Sequence, residues 1–267
     1  MSATNAVRAK STVSIKSVAI PAEHGGWGFL CEPLILGLLI APSLAGIGIV
    51  LMMAAAFLLH QPFKIVVKDR RKGRVYERTR LAQQFLVIYA VIGVVGFGIA
   101  WVSASNPMWI IPLLTAAPFA ALQIAYELRN DGRNLVSEIV GALVLAVSAP
   151  AILLVAGHTP LLAALVWSAL TLRIIPSILY VRARLRWTHG KTVRRQIPVI
   201  LHLGVVGIGL LLWTSGLASA AIMLAAGLLL ARAIYGSYFS PPVAARVVGF
   251  QEVFFGIAYT LVCAFAL

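Results

Sequence analysis

Residues 21–33, PAEHGGWGFLCEP, bring Glu23, His24 and Glu32 to the entry of a long apolar run. Carboxylates and imidazoles exchange protons near neutral pH, so these three are the candidate catalytic acid or base. Further on, Lys64, Lys68 and Arg71 recur at helical spacing in HQPFKIVVKDRR, with His60 on the same apolar span, and Arg173 and Arg182 follow in LRIIPSILYVRARLR. Lysine brings a mobile point charge and arginine a planar bidentate fork. Together His60, Lys64, Lys68, Arg71, Arg173 and Arg182 form a candidate set for an anionic headgroup, whether a phosphate, a diphosphate or an anionic lipid. Gln123, Glu127, Glu138, His202 and Glu252 are further polar side chains set in apolar stretches and are expected to line a cavity.

Glu127 and Asp131 stand four residues apart in YELRNDGRN, on one face if that segment is helical. They are a weak candidate pair for magnesium. With Arg129 and Arg133 beside them, the same residues also make a charge-neutralised turn, and no other metal ligand set or cofactor is indicated. Phosphate-binding glycine signatures, zinc-helix motifs and a supported Ser-His-Asp arrangement are absent from the chain. Cys31 and Cys263 lack CxxC spacing and His/Cys company, which fits small packing residues rather than a disulfide or zinc site.

The elements that must position these groups follow from composition. Of the 267 residues 61% are hydrophobic and 11% charged, more apolar surface than one soluble core buries. Runs of about 17 to 23 apolar residues, the length that crosses the hydrocarbon core as a helix, fall at 25–41, 43–63, 82–102, 108–126, 137–156, 160–181, 197–215, 217–235 and 249–266. The expected fold is therefore an all-α polytopic membrane bundle of about nine helices. Residues 1–20 read as a disordered basic cytoplasmic leader, and residues 21–267 as a single transmembrane domain. A cleaved signal peptide is disfavoured, because Glu32 falls inside what would be its apolar core.

Connections alternate along the chain. KIVVKDRRKGRVYERTR, ELRNDGRN, RARLRWTHGKTVRRQ and SPPVAAR are charged, whereas APS, SASNP, GHTP and TSG are not. Under the positive-inside rule the charged connections face the cytoplasm. Nine spans with a cytoplasmic N-terminus and an external C-terminus then put all 22 Lys and Arg on the inner side of a bacterial cytoplasmic membrane. The net charge of +14 is thus a membrane-topology signal; no polar segment is long enough to fold into a nucleic-acid-binding domain.

At 1.5 Å per residue Glu32 and Arg173 both lie on the order of 10 Å below the inner boundary. An isolated charge there costs about 2.5 to 3.5 kcal/mol, so each is expected to face the bundle interior or a partner. Pro33 and Pro176 adjoin them, and a proline inside a helix frees a backbone carbonyl and bends the axis. One internal echo, GVVGFGIAW at 93–101 against GVVGIGLLLW at 204–213, hints at a duplicated unit.

PAEHGGWGFLCEPLILGL, with Glu23, His24, Gly25 and Trp27 ahead of Pro33, resembles the opening signature of the YwiC-like family of bacterial membrane proteins. DRRKGRVYERT and RIIPSILYVRARLR look like that family's pattern too, so that the resemblance runs from about residue 18 to the end. It implies a polytopic membrane protein without implying a reaction. A looser similarity is to the UbiA superfamily of intramembrane prenyltransferases, which implies nine helices, a cytoplasm-facing cavity and diphosphate-binding motifs after the second and sixth helices. Here the first of those motifs departs from the Asp-rich form: HQPFKIVVKD offers Asp69 alone among bases, and YVRARLRWTHGK replaces the second. A diphosphate would then be held by Lys and Arg directly, or by a metal displaced to Glu127 and Asp131.

Two functional classes follow. An intramembrane transferase would bind a phosphorylated isoprenoid or another anionic lipid, through a lateral opening to the bilayer and a mouth on the inner side. A carrier of a small anion or proton-coupled solute would use Glu32 and Arg173 as a gate pair and need a polar route to the outer face. Membrane lipids are the expected partners; neither nucleic acid nor any particular protein is indicated.

Overall fold

The computed structural model describes residues 14–21 and 24–267, with His24 described by its backbone alone. The leader up to residue 13, Glu23 and the His24 side chain therefore lie outside the described residues. The described chain is helical throughout apart from its connections: α1 Ile15–Ala19, α2 His24–Ile40, α3 Leu44–Arg71, α4 Glu77–Ser103, a 3-10 turn Pro107–Trp109 leading into α5 Ile110–Leu128, α6 Leu135–Ala146, α7 Ser148–Val155, α8 Pro160–Thr188, α9 Gln196–Thr214, α10 Ala221–Ile234 continuing into a π-helical turn Tyr235–Phe239, and α11 Ala245–Ala266. Eight of the resulting segments are long and apolar enough to cross a membrane, and α2 contributes a shorter apolar helix from Gly25 to Ile40.

Local chemistry sets the boundaries. Ser43 Oγ accepts from Gly46 N at 3.0 Å to start α3, and Thr159 Oγ1 accepts from Leu162 N at 3.3 Å ahead of Pro160 to start α8. Gly73, Gly157, Gly190 and Gly216 take left-handed φ values just past helix ends, where a Cβ would be strained. Asn130 does the same without being glycine, at φ 62°. It closes α5 with Asn130 N donating to Glu127 O and Asp131 N to Tyr126 O, the paired bonds that satisfy a helix's last carbonyls.

One predicted span, 137–156, is two helices. Pro150 has no N–H to give Ala146 O, and the axis breaks at Val147, where Ser148 Oγ donates to Leu145 O at 2.8 Å instead. Every residue of α7 is buried, making it the centre of the bundle. Its Ile152 packs where Gly37 of α2 and Gly46 of α3 leave room, so small residues let two helices approach.

Two helices run further than their apolar cores. α3 continues to Arg71 and α8 to Thr188, 28 and 29 residues, so their charged ends are rigid helix rather than loop and exceed the length that crosses a hydrocarbon core. Lysine, arginine and leucine all favour helix, and no glycine intervenes before Gly73 and Gly190. α3 and α4 form a tight antiparallel hairpin whose backbones meet where Gly48 faces Gly96. In the echo in α9, Gly204 and Gly207 face open space, and only Gly209 packs, at ordinary contact distance from Met223 and Ala226 of α10. At the charged end Val18 of α1 tucks against Val66 and Ala82, so residues 15–19 of the expected leader are helix with Val18 and Ala19 buried. The outside of the bundle is apolar, with Val94, Val102, Leu224 and Phe265 among its exposed side chains.

Candidate functional site

Four helices bring charge to one level, and a fifth brings a neutral imidazole. Glu32 of α2, 6% exposed, meets Arg173 of α8, 2% exposed, with Oε2 2.8 Å from Nη1. Arg173 Nη2 also donates to Glu252 O of α11 at 3.2 Å. The Glu252 carboxylate in turn pairs with Arg232 of α10, at 2.6 Å. Arg232 Nη2 donates to Ser177 Oγ at 3.1 Å and faces His202 Nε2 of α9 at 3.3 Å, with its guanidinium carbon 4.5 Å from the Tyr180 ring centre. Arginine has only donors, so His202 Nε2 accepts and its Nδ1 carries the hydrogen bonded to Pro198 O at 2.6 Å. Two carboxylates and two guanidiniums thus neutralise each other in the interior, as buried charges must.

The space for this network comes from a missing side chain. A Cβ on Gly256 of α11 would overlap both Glu32 Oε1 and Arg173 Nη2. Pro33 and Pro176 follow Glu32 and lie one turn beyond Arg173, where the helix ladder is interrupted beside the charges.

A second cluster sits at the charged end of the bundle, between α3 and α5. Glu127 Oε2 is 3.0 Å from His60 Nε2 and 3.2 Å from Lys64 Nζ, and Lys68 Nζ donates to Asn130 Oδ1. The left-handed turn at Asn130 is what aims that amide at α3. Asp131 turns away from Glu127 to accept from Asn134 Nδ2 at 3.2 Å. Among the described residues no three His, Cys, Asp or Glu side chains gather as a metal site. Gln123 packs over Gly141 of α6, Arg182 pairs with Glu138 at 2.7 Å and donates to Arg133 O, and Arg71 is exposed.

Three buried polar residues have placements that the sequence does not announce. Asp69, 1% exposed, accepts from Arg78 Nε at 3.1 Å, from Arg78 Nη2 at 2.6 Å and from Thr79 Oγ1 at 2.7 Å, clasping the charged ends of α3 and α4. Arg184, in a segment read as a cytoplasmic loop, is buried in α8. It donates to the carbonyls of Gly236, Ser240 and Pro241 and to Ser240 Oγ, and so caps the π-helical turn. Thr260 of α11 is 1% exposed and its hydroxyl has no partner.

Beside the ion pairs a cleft of about 290 Å³ runs along the seam of α2 and α11. Trp27, Gly28, Cys31, Glu32 and Ile35 line one side, Val253, Ile257, Thr260 and Leu261 the other. Cys31, Ile35, Val253, Ile257 and Leu261 are exposed on the flank of the bundle, so the cleft opens sideways, where acyl chains would lie. Trp27 closes its inner end against Phe57 of α3, ring centres 5.1 Å apart.

No curated protein and no solved structure matches the chain. Nothing in these comparisons links it to the UbiA superfamily. A family model described as YwiC-like protein does match, over residues 20–153, taking in α2 to α6 and most of α7, with Glu32, the Glu127 cluster and the Asp69 clasp. The chain belongs to the YwiC-like family of proteins.

Proposed function

We propose that the protein admits an amphipathic lipid sideways from the bilayer into the α2–α11 cleft and presents it to the charged centre of Glu32, Arg173, Arg232 and Glu252. The observation that carries this reading is the cleft itself: an apolar groove open on the lipid-facing flank, with one charged group, Glu32, in its wall. A groove of that kind suits a chain with a polar end better than a solute from water. Glu32, with Glu23 and His24 preceding it on the chain, is the acid–base candidate if the lipid is transformed. A phosphorylated headgroup would be met first at the inner end of α3, by Lys68, whose partner Asn130 is uncharged, and by exposed Arg71. On this reading the charged connections lie in the cytoplasm of a bacterium and the C-terminus outside, as the positive-inside rule favours. That topology fails if single cysteines at Arg74 and at His158 are labelled from the same side of sealed vesicles.

Native mass spectrometry of the purified protein tests the reading. A lipid should be retained, and Ile257→Trp, which fills the cleft from its exposed rim, should cut the retained fraction about tenfold. Equal retention by the variant would defeat lateral admission. The carrier reading takes the Glu32–Arg173 pair as a gate and predicts solute flux in lipid vesicles that Ile257→Trp leaves unchanged.

A further inference from the structure

The polar inventory of the cleft is small and uneven. Glu32 Oε2 is held by Arg173 Nη1 at 2.8 Å. The other oxygen, Oε1, lies beside Gly28, where a Cβ would come within 3.6 Å of it, and Gly28 is itself a lining residue. Oε1 sits between Gly28 of α2 and Gly256 of α11, with no side chain from either glycine over it, so it is a carboxylate acceptor at the cleft wall. Thr260, on the facing helix, contributes a hydroxyl that is buried and unpartnered. A buried hydroxyl without a partner carries a desolvation penalty that a ligand relieves by hydrogen-bonding to it. Rotation about χ1 exchanges its hydroxyl and methyl positions, within the rotamers threonine uses in helices. Lysine, arginine and histidine are all missing from the described lining.

These groups discriminate among lipid heads. The Glu32–Arg173 pair is already neutralised. A phosphate or carboxylate entering beside it meets Glu32 with no lining cation to offset the repulsion, and an ammonium meets Arg173. A ketone or ether only accepts and leaves Glu32 Oε1 facing another acceptor. A hydroxyl does both: it donates to a carboxylate oxygen and accepts from a threonine. The apolar remainder of the groove, Trp27, Ile35, Val253, Ile257 and Leu261, is suited to the chain that follows.

We infer that the α2–α11 cleft selects a membrane lipid whose head is an uncharged hydroxyl, donating to Glu32 Oε1 and accepting from Thr260 Oγ1. This deepens the proposed lateral admission and rests on it. It assigns the cleft to a neutral alcohol and leaves any phosphorylated head to the inner end of α3.

Cys31 supplies the assay, because it is exposed in the cleft while Cys263 is buried. The rate at which a maleimide modifies Cys31 is followed in detergent by mass spectrometry, with three probes: farnesol, its methyl ether and its monophosphate. Farnesol should protect Cys31 at a concentration about tenfold below that of either analogue, as one well-formed hydrogen bond allows. Thr260→Val should bring the alcohol to within about threefold of the ether, and Thr260→Ser should keep the preference. Equal or better protection by the monophosphate, or an alcohol preference untouched by Thr260→Val, overturns the hydroxyl assignment while leaving lateral admission standing. If none of the three protects Cys31, the assignment and lateral admission fall together.

Discussion

Arg173 Nη1 lies 2.8 Å from Glu32 Oε2, joining α8 to α2 through two side chains that are each more than nine-tenths buried. Such a pair contributes less by existing than it costs to break, because removing one member leaves the other charged in a medium that cannot solvate it. Glu252 and Arg232 extend the pair into a four-charge network, so the loss of one cation is felt on α2, α10 and α11 together.

Arg173→Met is therefore expected to destabilise the protein by about 3 to 5 kcal/mol. Adding Glu32→Leu to that variant should recover most of the loss, since the stranded carboxylate is then gone. Thermal unfolding in detergent measures both. A double variant no more stable than Arg173→Met alone would mean that the two side chains do not act as a pair.

Gly256→Ala should damage the same network without touching a charged residue. Its methyl group falls on Glu32 Oε1 and Arg173 Nη2, so the pair must separate or α11 must move outward. A loss of about 1 to 3 kcal/mol is expected, as for other overpacked sites. Gly249→Ala, on the same helix but facing open space, should be neutral or stabilise by up to about 1 kcal/mol through helix propensity. Similar melting temperatures for the two variants would contradict the geometry at Gly256.

Arg184→Met should loosen the end of the π-helical turn while sparing the centre of the bundle. Its guanidinium satisfies carbonyls of Gly236, Ser240 and Pro241 that have no helix partner, and neighbouring Arg195 stacks 4.1 Å over Trp187 and reaches Ser237 O. Hydrogen exchange should rise about tenfold or more across residues 235–240, with α7 unchanged. Uniform exchange across both regions would show that Arg184 supports the whole fold rather than this one turn.

How far the structure could be read in advance depends on the kind of signal. Apolar runs that open at Ser43 and Thr159 mark the starts of α3 and α8, because length and N-caps are local properties. Depth counting also puts Glu32 and Arg173 at one level. That α2 lies beside both α8 and α11 is a matter of packing, which no spacing encodes. The same limit hides the Arg232–Glu252 pairing and the use of Asp69, which reads as a lone acid among bases but serves as the clasp for Arg78 and Thr79. The charged helix ends escape for a different reason: a window that seeks apolar residues stops at the first charges, whereas α3 and α8 continue through theirs. The cleft was invisible because it is made by small side chains, Gly28 and Cys31, whose effect is the volume they do not occupy.

α7 never touches the surrounding acyl chains, since Ile152, Leu153 and Val155 at its heart are wholly enclosed. A bilayer that thickens or thins therefore acts on this protein only through its peripheral helices, and the central segment is insulated from the lipid environment. α2 is in the opposite position, leaning on α7 through Gly37 while its other side faces the hydrocarbon. Membrane stress that bears on α2 would press the helix that carries Glu32 against a fixed support.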